Sequence, residues 1–200
     1  MKHFLFLMCV CLLPIMAYGQ KVTSTKVDGG TVLTTSETIC RSFTDKQVLS
    51  VSLSAIFVNR DTTFLLNAKV TTLQPTSIPE NGRLLLKLAD DSVVKLVSIT
   101  SEDSNNNTMN LGTTTTITKI GQTWYAKTYK NDINVSSIVG SYIIDKNTLI
   151  SSFKGIKKIR LELSPDNYDK EFSKDKVGKA LESQYKAILN YNIKSFDEGF

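Results

Sequence analysis

Histidine is nearly absent from this chain: there is one, His3, in 200 residues. Cysteine is scarce too, and two of the three, Cys9 and Cys11, share the N-terminal stretch with that histidine. Lys2 and His3 make a positive start, residues 4–16 are apolar apart from Pro14, and Ala17-Tyr18-Gly19 sets small residues three and one before Gln20. This is the pattern of a secretory signal peptide cleaved after Gly19. The apolar run is too short for a good spanning helix. Met8 and Val10 precede the two cysteines and apolar residues follow both, so ordinary cleavage is expected rather than lipidation. Removal of 1–19 leaves one domain, 20–200, with no histidine and with Cys40 alone.

These absences exclude a good deal of chemistry. Without histidine, Ser-His-Asp and Cys-His activation of a nucleophile are lost in their usual forms. So are the usual histidine-bearing zinc sites, and one thiol cannot build an all-cysteine site. No disulfide can close within the processed chain, although its compartment would permit one. Stability must come from a hydrophobic core, which a chain of about 180 residues can supply, and Cys40 is expected inside it as a small hydrophobe. Charge of one sign is also lacking. Lys154, Lys157, Lys158 and Arg160 form a basic cluster, but residues 154–200 hold ten basic and eight acidic side chains, so nucleic acid is not an expected partner.

What is present reads mostly as strand. The chain is 41% hydrophobic and 22% charged, values of a globular protein rather than a disordered one. Gly29-Gly30 separates two extended pieces, 21–27 and 31–40. Val51, Leu53, Ala55 and Phe57 alternate with Ser50, Ser52 and Ser54, and Phe64, Leu66, Ala68 and Val70 alternate with Asn67, Lys69 and Thr71. The spacing predicts a hairpin, 48–58 with 62–73. A second hairpin around Asp90-Asp91-Ser92 is apolar on both faces and is expected to be central. Residues 101–110 read as a polar loop, followed by strands at 111–119 and 123–130 and a short one at 142–144. Asp145 is a cap for a short helix near 146–154 that Gly155 can end. Val177, Ala180, Leu181, Gln184, Tyr185, Ile188 and Leu189 recur at three and four residues, which predicts an amphipathic helix near 175–190 capped by Asp175. The expected fold is mainly β, an antiparallel sandwich or partly closed barrel with these two helices.

Residues 82–96, Gly-Arg-Leu-Leu-Leu-Lys-Leu-Ala-Asp-Asp-Ser-Val-Val-Lys-Leu, resemble a hairpin of small exported β-rich proteins of Bacteroidetes-type bacteria. Gly-Ile-Lys-Lys-Ile-Arg-Leu-Glu-Leu and Asp-Lys-Glu-Phe-Ser-Lys-Asp-Lys-Val-Gly-Lys-Ala-Leu, within residues 155–181, are similar to their C-terminal strand, hairpin and helix. The resemblance covers about a quarter of the processed chain and implies an exported, single β-rich domain. It carries over no catalytic residue.

Several constellations are candidates for function. Trp124, Tyr125 and Tyr129 lie on one strand, Tyr125 and Tyr129 sharing a face, and aromatic faces can stack on sugar rings or apolar anchors. Asp61-Thr62-Thr63 and Asp91-Ser92-Val93 resemble a short acceptor signal for O-linked sugars in that bacterial group, which makes Thr62 and Ser92 candidate modification sites. Asp103, Asn105 and Asn107 begin like a calcium loop, but Thr108 and Thr114 stand where glycine and glutamate belong. Asp90-Asp91, Glu102-Asp103 and Asp197-Glu198 are adjacent acids of the kind usually hydrated. The expected function is a non-catalytic binding or structural module of the periplasm or cell surface, with no metal, no cofactor and no catalytic residue assigned. A glycan or envelope protein is the expected partner, and membrane contact is not expected. The alternative is a carboxylate-dependent hydrolase of glycans or envelope polymers, which needs two acids facing one cleft.

Overall fold

The computed structural model describes residues 20–40, 47–59, 61–99, 105–120, 123–172 and 174–197; the predicted signal segment lies outside them. Along the chain run β1 (Val22–Val27), β2 (Gly30–Thr35), β3 (Thr38–Ile39), β4 (Val48–Val58), β5 (Asp61–Thr72), β6 (Arg83–Leu88), β7 (Val93–Val97), β8 (Asn105–Ile120), β9 (Thr123–Ile144), α1 (Lys146–Ser152), β10 (Ile156–Leu161), β11 (Tyr168–Glu171) and α2 (Val177–Asp197). The protein is mainly β. A large antiparallel sheet has the order β1-β2-β4-β5-β9-β8, with β3 also pairing β4, and a small one has the order β11-β10-β6-β7. No barrel closes. The sheets meet at one corner, where Ser98 bridges to Tyr142 and Ile99 N–H donates to Ser141 O at 2.9 Å.

The predicted hairpin of β4 and β5 is in register from Val48↔Thr71 to Val58↔Asp61. Leu49, Val51, Leu53 and Ala55 face one core shared with β5, β6, β10 and α2. The opposite face of β4 is buried as well, because Ser50, Ser52 and Ser54 sit in the middle of the sheet among larger neighbours. Their hydroxyls are satisfied locally: Ser54 with Thr34 at 3.0 Å and with Asn67 Nδ2 at 2.9 Å, Ser50 with Glu37 at 3.0 Å. That network offsets the cost of removing polar groups from water.

Both helices start at their predicted caps. Asp145 accepts from Thr148 N–H at 2.9 Å. Asp175 Oδ1 accepts from Gly178 N–H at 2.9 Å and from Ile156 N–H at 3.2 Å, which fixes the start of α2 to β10. Gly155 takes φ +133°, a value L side chains rarely adopt. α2 packs on β4, β2 and β1 and against α1.

Four expectations are corrected. The loop expected at 101–110 is strand from Asn105 onward, and the strand expected to stop at 130 runs unbroken to Ile144. Asp132, Asn134, Ser136, Ser137 and Gly140 have low strand propensity, but pairing with β5 and β8 overrides it, and Asn131 falls at the register shift between β8 and β9. The second hairpin is not central: β6 is interior to the small sheet, while β7 is an edge with Val93 and Val97 exposed. Leu189, expected on the buried stripe of α2, is 41% exposed, beside a fully buried Ile188, and so lies at the margin of the stripe.

β5 pairs with β9 only from Ile144 back to Ser136. Residues 123–135 of β9 continue past the end of β5 and pair with β8 alone. A two-stranded ribbon thus leaves the body, interrupted by one register shift between Asn110 and Thr113.

Candidate binding site at the base of the ribbon

A hollow of about 280 Å³ opens where β5 ends and the ribbon begins. It is lined by Gln47, Thr72, Leu73, Gln74, Thr76, Pro165 and Asp166. Gln47 precedes β4 and Thr72 closes β5. The segment after β5 is clamped to the 164–167 turn by a reciprocal pair, Ser77 N–H to Ser164 O at 3.0 Å and Ser164 N–H to Ser77 O at 2.9 Å. Asn167 Oδ1 accepts from Leu163 N–H at 3.2 Å and holds the turn. Two loops far apart in sequence therefore form a built wall. Thr72 also bonds Gln74 O through its hydroxyl.

Beside this wall stands Ser136, the cross-strand partner of Thr72. Its hydroxyl is buried and has no hydrogen-bond partner among the described residues. A buried hydroxyl in that state carries a desolvation cost of about 1–3 kcal/mol. The site is therefore a set of amides and hydroxyls around Leu73 and Pro165, with one carboxylate, Asp166. Such a set makes hydrogen bonds and apolar contact; it has no paired acids among its described lining residues.

Two other hollows, of about 200 and 400 Å³, lie at the outer face of the small sheet. Their charges already have partners. Lys157 bonds Asp91 at 3.0 Å and Lys87 bonds it at 3.1 Å. Lys158 bonds Asp169 at 2.9 Å, and Arg160 bonds the same carboxylate. Arg83 clasps Glu162, whose carboxyl is held below the usual range by that hydrogen bond. Hydrogen bonds from Lys157 and then Lys87 likewise lower Asp91. Lys157, Lys158 and Arg160 of the basic cluster seen in the sequence thus lie on an ion-paired sheet face, while Lys154 sits in the turn after α1.

The predicted site residues fall in separate places. The register sets Trp124 opposite Lys119, Tyr125 opposite Thr118 and Tyr129 opposite Thr114; their side chains lie outside the described residues. At a rise of about 3.4 Å per residue, Tyr129 stands roughly 24 Å along the strand from Ser136 and Trp124 roughly 41 Å, so the ribbon separates the aromatic trio from the hollow. Thr62 is exposed near the β4–β5 turn, opposite Phe57. Ser92 is exposed in the β6–β7 turn, its hydroxyl donating to Asp90 Oδ1 at 2.6 Å. Asp103, of the failed calcium loop, lies outside the described residues. Cys40 is buried in the core, and burial pushes its thiol up to about 11.

Gln74, Thr76, Pro165 and Asp166 escaped sequence reading because they sit in segments legible only as turns, 74–82 and 164–167, and Gln47, Thr72 and Leu73 because they read only as the ends of strands. What joins them is the Ser77–Ser164 pairing across 87 residues, for which local pattern gives no signal. Among the described residues no helix is long and apolar enough to cross a membrane. Comparison with protein-family models, with curated proteins and with solved structures found no match.

Proposed function

We propose that the chain is an exported, non-catalytic binding module of the periplasm or cell surface, and that its ligand occupies the hollow at the base of the ribbon. The observation that carries this reading is the chemistry of the wall: Gln47, Thr72, Gln74 and Thr76 surround Leu73 and Pro165, and the buried Ser136 hydroxyl stands one strand away. Several polar groups converging on a small apolar floor suit a ligand with hydroxyls around an apolar face, as a sugar ring has. Export is supported by residues 1–19 and by the resemblance of 82–96 and 155–181. A hydrolase is disfavoured because acids elsewhere serve as ion-pair partners or helix caps, as with Asp91, Glu162, Asp169, Asp145 and Asp175. Glycoside hydrolysis requires a second carboxyl across the cleft from Asp166.

The test is calorimetric titration of the purified protein with oligosaccharides of bacterial-envelope type. Binding is expected without release of new reducing ends, and Gln47→Ala with Gln74→Ala should weaken it at least tenfold while leaving the melting midpoint unchanged. Release of reducing ends, or binding indifferent to that double substitution, would overturn the reading.

A further inference from the structure

We propose that the free edge of β8 is a self-association surface, pairing antiparallel with β8 of a second copy of this chain. Both strands of the ribbon leave the body, and over residues 123–135 β8 is the one strand among the described residues that pairs with β9. A two-stranded ribbon is marginal in water, and three or more strands are needed for independent stability. Among the described residues no strand pairs with the far edge of β8, where the large sheet ends. Every second residue of β8 therefore turns its N–H and C=O away from β9.

Exposed edges are normally protected by charge, proline or brevity. The other edges of this protein follow that rule. β11 has Asp169, Lys170 and Glu171 among four residues, β7 has Lys95 among five, and β1 has Lys26 among six. β8 is sixteen residues long, contains no proline and holds a single charged residue, Lys119. Its Thr113–Thr116 run is β-branched throughout and suits a pleated strand.

The charge pattern admits a second copy as the occupant. Antiparallel pairing centred on the threonine tract sets Lys119 opposite an uncharged residue between positions 110 and 114, never opposite its own copy. No like-charge pair opposes this register, and like charges directly opposite are what destabilise strand pairing. A second copy also contributes two strands at once, turning two marginal ribbons into one four-stranded sheet. Binding of a lone extended peptide would yield three.

Sedimentation velocity of the purified protein tests the proposal. A concentration-dependent dimer is expected. Thr114→Glu with Thr115→Glu places an acid on each face of the tract and should weaken association at least tenfold, as should the corresponding lysine pair. An equimolar mixture of the two variants should recover the dimer, because glutamate then opposes lysine. Positions 114 and 115 pair with Tyr129 and Thr128 in the ribbon and lie outside the body, so the glutamate variant should still melt cooperatively. A parent protein that stays monomeric up to about 100 μM, a dimer indifferent to the charges, or a mixture that stays monomeric would each overturn the proposal. None of these outcomes depends on the hollow at the ribbon base.

Discussion

Cys40 has no exposed surface, and its sulfur lies 3.5 Å from Thr38 O. Burial disfavours the thiolate, which pushes the thiol up to about 11, with the Lys176 charge working the other way. The folded state therefore keeps the proton after the unfolded chain, whose thiol ionises near 8.5, has lost it. This contribution to stability is fully present below that ordinary value and is lost as pH rises towards 11. Between about pH 8.5 and 11, unfolding free energy should fall more steeply for the parent than for Cys40→Ala in denaturant melts. Equal slopes would show that Cys40 ionises alike in both states. Gln184 illustrates a different use of a buried polar residue. It has no exposed surface, and its Nε2 donates to Val51 O at 2.9 Å, Thr38 Oγ1 at 3.1 Å and Ser36 O at 3.3 Å. A residue that looks out of place on an apolar stripe thereby ties α2 to the backbone of β4 and to the β2–β3 link.

At the scale of the element, α2 is held by its stripe. Val177, Leu181 and Ile188 are fully buried, and Tyr185 stacks at 5.6 Å against both Phe64 and Phe153. Leu181→Ala should cost about 2–5 kcal/mol, as for other large-to-small changes in a core. Lys186 is exposed and paired with Glu182 one turn earlier, so Lys186→Ala should change stability by less than about 0.5 kcal/mol. Denaturant midpoints of the two variants would separate these outcomes, and an unchanged midpoint for Leu181→Ala would mean that the helix is not packed as described. This helix was legible because its period, its Asp175 cap and its buried face all agree. β4 and β5 were legible for the same reason, their alternation and their turn pointing to one hairpin. β9 was not, because Asn131, Asp132 and Asn134 read locally as a break and the pairing that holds Asp132 and Asn134 strand-like lies on β8. Gly140 misleads in the same way. A side chain there would come within 2.5 Å of the Tyr142 hydroxyl and 2.9 Å of Ile78, so this glycine permits a close approach rather than a turn. The hollow was the least legible feature, since Thr72 and Asp166 are joined only by non-local pairing.

For the molecule as a whole, the architecture divides into a body with one continuous core and a ribbon whose two strands pair with each other beyond the end of β5. The residues of the outer ribbon whose burial is described, 126–128, are all exposed. Ser136 and Ile138 mark where β9 re-enters the sheet beside β5. The body should therefore fold without the ribbon. Asn107 and Val135 are opposite one another, so an Asn-Gly dipeptide can replace residues 108–134 and close the hairpin with a favoured two-residue turn. Association must be kept out of the comparison, because a dimer that binds only folded chains raises the melting midpoint with concentration. The proper reference is thus the Thr114→Glu, Thr115→Glu protein rather than the parent. Against that reference, the excised chain should melt cooperatively within about 4 °C, the shift expected for a change of about 1 kcal/mol in a chain of this size. It should also stay monomeric at every concentration, while the parent's midpoint rises with concentration. A chain that fails to melt cooperatively after excision would show that the ribbon belongs to the folding unit, and that its pairing with β9 supports the body as well as the surface.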